Sequence, residues 1–177
     1  MRIYLKGSHV YAAIPRIKDA DKLAKYYTET NQELGIQNTL DKKAAVAFIK
    51  TVILNFNSMR EFHFGIYTKN QNRFIGLFSI IQPDYSKRTC EIGYWIAKRY
   101  RKKGYGEDAI EVIIDFAFKI LKMKNIFAFA DTNNKASTNL LKSIGFKRAN
   151  TKLKSTSAFD KKNRYVIAYA LRSKIWH

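Results

Sequence analysis

Cysteine, proline and acidic side chains are all scarce in this chain. Its single cysteine, Cys90, excludes an internal disulfide, and the three histidines, His9, His63 and His177, are too scattered to give metal-ligand spacing. No metal is expected. With only two prolines and no repeated or low-complexity segment, nothing reads as a linker, so residues 1–177 are expected to form one domain. The longest apolar runs are the six-residue stretches 44–49 and 166–171, far short of the ~20 residues of a membrane-spanning helix. The start, Met1-Arg2-Ile3-Tyr4-Leu5-Lys6, lacks the apolar core of a signal peptide. A soluble, cytoplasmic protein is expected.

The shortage of carboxylates leaves 14 Asp and Glu against 33 Lys and Arg, a net charge of +19. Such a charge attracts anionic partners and repels polycationic ones. Lysine is spread along the whole chain, and only residues 98–103 are dense enough to suggest a nucleic-acid footprint. The 46% hydrophobic and 14% aromatic content is that of a chain with a packed core.

Local patterns then give the layout. An extended N-terminal stretch, with Val10–Ile17 as its second part, precedes Asp19 and Asp21, which suit the start of a helix reaching about Thr30. A second helix is expected over Asp41–Asn57, with Ala45, Phe48, Ile49, Val52, Ile53 and Phe56 on its apolar face. A hairpin follows, Glu61–Thr68 and Phe74–Ile81 about the turn Asn70-Gln71-Asn72. Next come a strand at Thr89–Ala97, a long helix over Glu107–Met123 and a buried strand at Asn125–Asp131. A helix over Asn134–Ser143 ends at Gly145, and strands at Phe146–Ser155 and Tyr165–Arg172 flank a turn at Asp160–Asn163. The fold class is α+β: a mixed, mainly antiparallel sheet of about seven strands flanked by about four helices.

The run Arg101-Lys102-Lys103-Gly104-Tyr105-Gly106 sits between a strand and a helix and reads R-x-x-G-x-G. Backbone N–H groups at the positive end of a helix dipole make a phosphate cradle, and glycines let a ligand approach closely. Lys98 and Arg99 add charge beside it. A solvated basic surface is the competing reading of the same residues.

Glu91 is a carboxylate in mid-strand, on the face shared by Gly93 and Trp95 and opposite Cys90, Ile92, Tyr94 and Ile96. Half-buried, it would have a raised pKa and could serve as a general base; a salt-bridged strand residue is the plainer alternative. Cys90 reads as a small buried hydrophobe, and His63 as a structural or exposed histidine. Asn134 and Ser137 can cap a helix or offer amide and hydroxyl groups to a ligand.

Taken together, the segments EIGYWI, RYRKKGYGEDAIEVIIDFAF and NNKASTNLLKSIGF resemble the GNAT family of N-acetyltransferases. The nearest likeness within it is to the branch that acetylates N-terminal amines of ribosomal proteins, which also holds many small-amine acetyltransferases. The strong match covers about residues 89 to 148. The resemblance implies the acyl-CoA N-acyltransferase fold and acetyl-CoA as co-substrate. It implies that Tyr94, Trp95 and Ile96 pair with the pantetheine arm through their backbone. Arg101, Lys102, Lys103, Gly104, Tyr105 and Gly106 would bind the pyrophosphate, Asn134 and Ser137 would contact the cofactor, and Glu91 would act as a water-relayed base. At Leu141 the sequence departs from the many relatives that carry a tyrosine acid, which shifts that role to Ser137 or a solvent water.

An uncharged amine would attack the thioester directly, with a backbone N–H near Trp95 or Ile96 facing the developing oxyanion. The resemblance therefore implies transfer of an acetyl group to a primary amine. The charge favours a protein N-terminal amine, with the ribosome surface as an anionic partner, over a small-molecule amine. Two other functions fit the same residues: a CoA-binding module with little turnover, and a basic RNA- or ribosome-binding protein. A homodimer is compatible with each of these readings.

Overall fold

The computed structural model describes residues 3–149 and 166–176. Eight strands and four α-helices occur among them. The sheet has the order β1-β2-β3-β4-β5-β6-β8-β7, one strand more than expected, and the chain divides into two compact units. One comprises Met1–Ser79 with Tyr94–Ile113, the other Ile80–Gly93 with Ile114–His177.

The first unit starts with a short ribbon, β1 (Tyr4–Lys6) and β2 (Val10–Ala13), paired antiparallel with Tyr4 opposite Ala13. β2 pairs antiparallel with β3 (Phe62–Thr68), Val10 opposite Thr68. Between them lie α1 (Ala20–Glu33) and α2 (Lys42–Asn57). Asp41, where the second helix was expected to begin, caps α2, its carboxylate accepting the Ala44 N–H at 2.7 Å. Asp19, expected to cap α1, does not. Arg16 at 2.8 Å and the Tyr67 hydroxyl at 2.8 Å claim its carboxylate instead, and a buried carboxylate gains more from a cation and a hydroxyl than from one helix amide. Of the expected apolar face of α2, Ala45, Ile49, Val52 and Phe56 are buried, whereas Ile53 is 41% exposed.

Aromatic rings run across this unit from strand to strand. Tyr4 stacks on Tyr11 and Tyr11 on Tyr67, while Phe74 touches Tyr67 and Trp95 edge-on. Period-two alternation is therefore matched in register across neighbouring strands, and each ring covers the next. β4 (Phe74–Asp84) and β5 (Thr89–Ile96) contribute residues to both units, as does α3 (Tyr105–Asp115).

The expected helix over Glu107–Met123 is corrected at both ends. It opens at Tyr105, and after Asp115 it widens into a π turn over Phe116–Ile120, where the Leu121 N–H reaches back to the Phe116 carbonyl at 3.0 Å. Three consecutive residues, Phe116, Ala117 and Phe118, are buried there. A straight α-helix, with 100° between neighbours, cannot turn three successive side chains inward; a widened turn can.

In the second unit β6 (Asn125–Asp131) pairs parallel with β5 and antiparallel with β8 (Val166–Arg172). β6 is buried on one face only, since Ile126, Ala128 and Ala130 are covered and the alternate residues are partly exposed. α4 (Lys135–Ser143) follows, and Gly145 ends it with φ +100° as expected. β7 (Lys147–Arg148) pairs with β8. The expected turn at Asp160–Asn163, and most of the strand expected at Phe146–Ser155, lie outside the described residues. Among the described residues no helix is long and apolar enough to cross a membrane.

Candidate active site

The basic turn is built by the first unit alone. β5 gives way to a 3₁₀ turn at Lys98–Tyr100, Arg101 is extended, and α3 begins at Tyr105. Lys102 (φ 59°) and Gly104 (φ 76°) are both left-handed. That conformation costs a lysine of order 1 kcal/mol and glycine almost nothing. A Cβ placed on Gly104 would meet nothing within 4 Å, so glycine is required there for backbone geometry while the space beside it stays open. Among the described hydrogen bonds, none takes the amides of Lys102, Lys103, Gly104, Tyr105 or Gly106; the first bond of the helix runs from Asp108 N–H to the Gly104 carbonyl. Unclaimed amides, a helix N-terminus and an open left-handed glycine suit a pyrophosphate.

The charges of the turn are not equivalent. Arg101 donates through Nε to the Ile96 carbonyl at 2.7 Å and pairs with Glu33 at 2.9 Å. Lys98 pairs with the same carboxylate at 3.0 Å. Arg99 leans over the Tyr100 ring, which meets Tyr26 of α1 edge-on. Lys102 and Lys103 have no carboxylate partner among the described ion pairs. Arg101 thus shapes the turn, and the backbone and the two lysines are left to meet an anion.

Asp108, in the first turn of α3, is a feature the sequence did not reveal. Its carboxylate accepts the N–H groups of Ser8, His9 and Val10 at 2.7, 2.6 and 2.8 Å, and a Cβ on Gly7 would overlap it. An acidic residue in a first helical turn is common, and only the tertiary fold brings it to a partner about 100 residues away.

β5 carries the other expected residues. Its parallel ladder with β6 takes only Thr89–Ile92, and Gly93, Tyr94, Trp95 and Ile96 continue the strand beyond it. Tyr94 stacks on Phe78. Trp95 is 6% exposed, yet its Nε1 has no hydrogen-bond partner among the described residues. Glu91, in the second unit, is buried and stands opposite Phe127 of β6. Four residues on, β6 reaches Asp131, whose carbonyl accepts the Asn134 N–H at 2.9 Å. The Asn134 side chain caps α4, its Oδ1 accepting the Ser137 N–H at 3.1 Å. Ser137 is partly exposed, and Leu141 is fully buried. Glu91, Asn134 and Ser137 thus belong to the second unit, and residues 94–106 to the first.

Cys90 is buried, and desolvation, helped by the nearby Glu91 charge, pushes its thiol up to about 12. It is a core residue, as expected. His63 is structural: Nδ1 lies 2.7 Å from Ser79 Oγ, Nε2 lies 3.1 Å from Glu61, and Phe48 packs edge-on. The His63 hydrogen bond holds the Glu61 carboxyl below its ordinary range, outweighing the rise from burial. No cluster of metal-ligating side chains occurs among the described residues.

The model of the acetyltransferase (GNAT) domain matches residues 13–147. The chain belongs to the GNAT acetyltransferase family. It is 26% identical over 137 residues to the uncharacterized N-acetyltransferase YoaA of Bacillus subtilis, covering 75% of this chain and 77% of that one. The ribosomal-protein-S5-alanine acetyltransferase of Vibrio fischeri shares its fold with a TM-score of 0.78 at 19% identity, over 99% of each chain. The microcin C7 self-immunity acetyltransferase, solved in complex with acetyl-CoA and AMP, superposes with a TM-score of 0.76 at 18% identity, over 93% of each chain. This protein is therefore a GNAT acetyltransferase, with an eight-stranded mixed sheet and four α-helices among the described residues.

Proposed function

We propose that this GNAT protein, acting as one domain over residues 1–177, uses acetyl-CoA to acetylate a primary amine, with a protein N-terminal amine as the favoured acceptor. The observation that carries the proposal is the turn at Arg101–Gly106, where the amides of Lys102 to Gly106 are unclaimed among the described hydrogen bonds at the N-terminus of α3. Acetyl-CoA supplies an acyl group on a thiol leaving group. Lys102 to Gly106 hold its pyrophosphate through backbone N–H groups, with the Lys102 and Lys103 ammoniums adding charge. Tyr94, Trp95 and Ile96 offer the backbone of β5 beyond its ladder to the pantetheine arm, and an N–H there faces the developing oxyanion. Asn134 adds a donor through its Nδ2, since its Oδ1 is engaged in the cap.

Glu91, through a water, takes the proton that the ammonium must lose before the nitrogen can attack. Leu141 offers no proton, so Ser137 or solvent returns one to the thiolate. The net charge of +19 disfavours polycationic acceptors and favours the anionic surroundings of a ribosome. The test is CoA release from acetyl-CoA against a panel of N-terminal peptides and small amines. Turnover on peptides that Glu91→Gln lowers at least tenfold, with CoA binding kept, is the expected result. No release with any amine would defeat the proposal.

A further inference from the structure

The first unit carries a row of stacked tyrosines that is buried at one end and open at the other. Tyr67 is 1% exposed, Tyr11 stacks on it with ring centroids 5.0 Å apart, and Tyr4 stacks on Tyr11 at 4.4 Å. Register builds the inner pair, since Tyr11 of β2 stands opposite Tyr67 of β3. Tyr4 ends the row on β1, an edge strand of the sheet, and is 49% exposed. Its ring therefore offers a flat surface on which another ring can stack.

Cations gather round the open end. Lys6 stands opposite Tyr11 in the β1–β2 register, and its ammonium lies 5.8 Å from the centre of the Tyr4 ring. The turn between β3 and β4 is tied to this ribbon. The Lys69 N–H donates to the His9 carbonyl at 3.0 Å, and the Asn72 side chain accepts from the Tyr11 hydroxyl and from Arg16. Lys6, His9, Lys69 and Arg73 are exposed, and none has a carboxylate partner among the described ion pairs. The carboxylates described in contact with these stretches are already engaged: buried Asp19 holds Arg16 and Tyr67, and buried Asp108 holds the amides of residues 8–10. No single run of the sequence marks the patch, because its groups come from two separate stretches, 4–9 and 69–73.

We propose that this face binds single-stranded RNA, with an unpaired base stacked on Tyr4 and the adjoining phosphates on Lys6, Lys69 and Arg73. A base extends the tyrosine row by one more ring, and the three cations take the place of backbone counterions. Ser8, Asn70 and Gln71 are exposed beside them. Their side chains both donate and accept hydrogen bonds, which suits the ribose 2′-hydroxyl that separates RNA from DNA. A duplex keeps its bases paired and stacked inside and leaves Tyr4 no ring to meet. The net charge of +19 draws the polyanion in. Every residue invoked lies in the first unit, and the inference stands independently of acetyl transfer.

The experiment is fluorescence anisotropy of the full chain with a labelled oligouridine RNA of about 12 nucleotides, long enough for one site. Titrations run between about 50 and 200 mM salt, where phosphate contacts show as a slope of log affinity against log salt. Tyr4→Ala is expected to weaken binding about tenfold with the slope unchanged, because it removes a stacking ring and no charge. Tyr4→Phe should bind as the wild type does. Tyr4→Leu keeps apolar cover on Tyr11, so the ribbon stays paired, and should weaken binding as alanine does. Lys69→Gln with Arg73→Gln should lower the affinity and cut the slope by about 1.4, at about 0.7 per phosphate contact. Unchanged affinity in Tyr4→Ala and Tyr4→Leu would overturn the inference, as would no binding at low salt. Equal affinity for oligodeoxyuridine, or equally strong competition by polyglutamate, would also overturn it.

Discussion

The Glu33 carboxylate stands 2.9 Å from the Arg101 guanidinium, and the pair ties the last turn of α1 to the basic turn before α3. Burial alone would raise the Glu33 pKa, but the Lys98 hydrogen bond and the Arg101 charge outweigh it and hold the carboxyl below its ordinary 4.5. The folded pKa lies below the unfolded one, so the stabilisation is complete above about pH 4.5 and is lost as pH falls through the folded value. Lys98 is 77% and Arg101 40% exposed, which limits the pairs to about 0.5–1 kcal/mol together. Glu33→Gln should lose about that much at pH 7 and almost nothing near pH 3, by urea titration, and the difference should shrink in high salt.

Asp108 anchors the first turn of α3 to residues 8–10. Three backbone N–H groups converge on its buried carboxylate, and each charge-assisted bond contributes about 1.5–3 kcal/mol. Asp108→Ala leaves the buried Val10 N–H without a partner and the part-buried Ser8 and His9 N–H groups to water, and a loss of about 3 kcal/mol is expected in chemical denaturation. Asp108→Asn keeps an acceptor oxygen but loses the charge, and should fall about midway. An alanine variant as stable as wild type would show that the 8–10 turn repairs itself with water.

Gly104 separates ligand binding from stability. Its φ of 76° makes alanine strained, at a cost of about 1 kcal/mol. The new methyl would project into open space, which is where a phosphate would approach the amides. Gly104→Ala should therefore keep the fold while weakening CoA binding about tenfold or more by calorimetry. An unchanged CoA affinity would take the pyrophosphate away from this turn.

Much of this was legible from periodicity and turn chemistry. β5, β6 and the bounds of α2 emerge within a residue of the expected Thr89–Ala97, Asn125–Asp131 and Asp41–Asn57, because alternation, helical periodicity and flanking polar residues are local signals. What escaped was set by tertiary partners. Asp19 has the sequence of a cap, but Tyr67, 48 residues on, and Arg16 outcompete the helix amides for it. The π turn at Phe116 answers to burial on three consecutive side chains. The basic run read as one cluster of positive charge, whereas Glu33, distant in sequence, claims Lys98 and Arg101 and leaves Lys102 and Lys103 without a carboxylate among the described ion pairs.

Cys90 provides a test of burial that needs no ligand. Its folded thiol is pushed up to about 12 from 9.0, so at pH 8 only about one molecule in ten thousand carries the reactive thiolate. Iodoacetamide should leave the native protein unmodified at pH 8 and alkylate it fully in urea. The sign of the linked stability follows from the same shift. With the folded value above the unfolded one, the neutral thiol contributes stability that is fully present below pH 9.0 and is lost as pH rises toward about 12. Cys90→Ala should flatten that part of the alkaline limb in urea titrations, while lysine and tyrosine titration continues in both proteins. Rapid alkylation of the native protein would mean that β5 opens at Cys90, one residue from Glu91, and would move that carboxylate from a buried site to a solvated one.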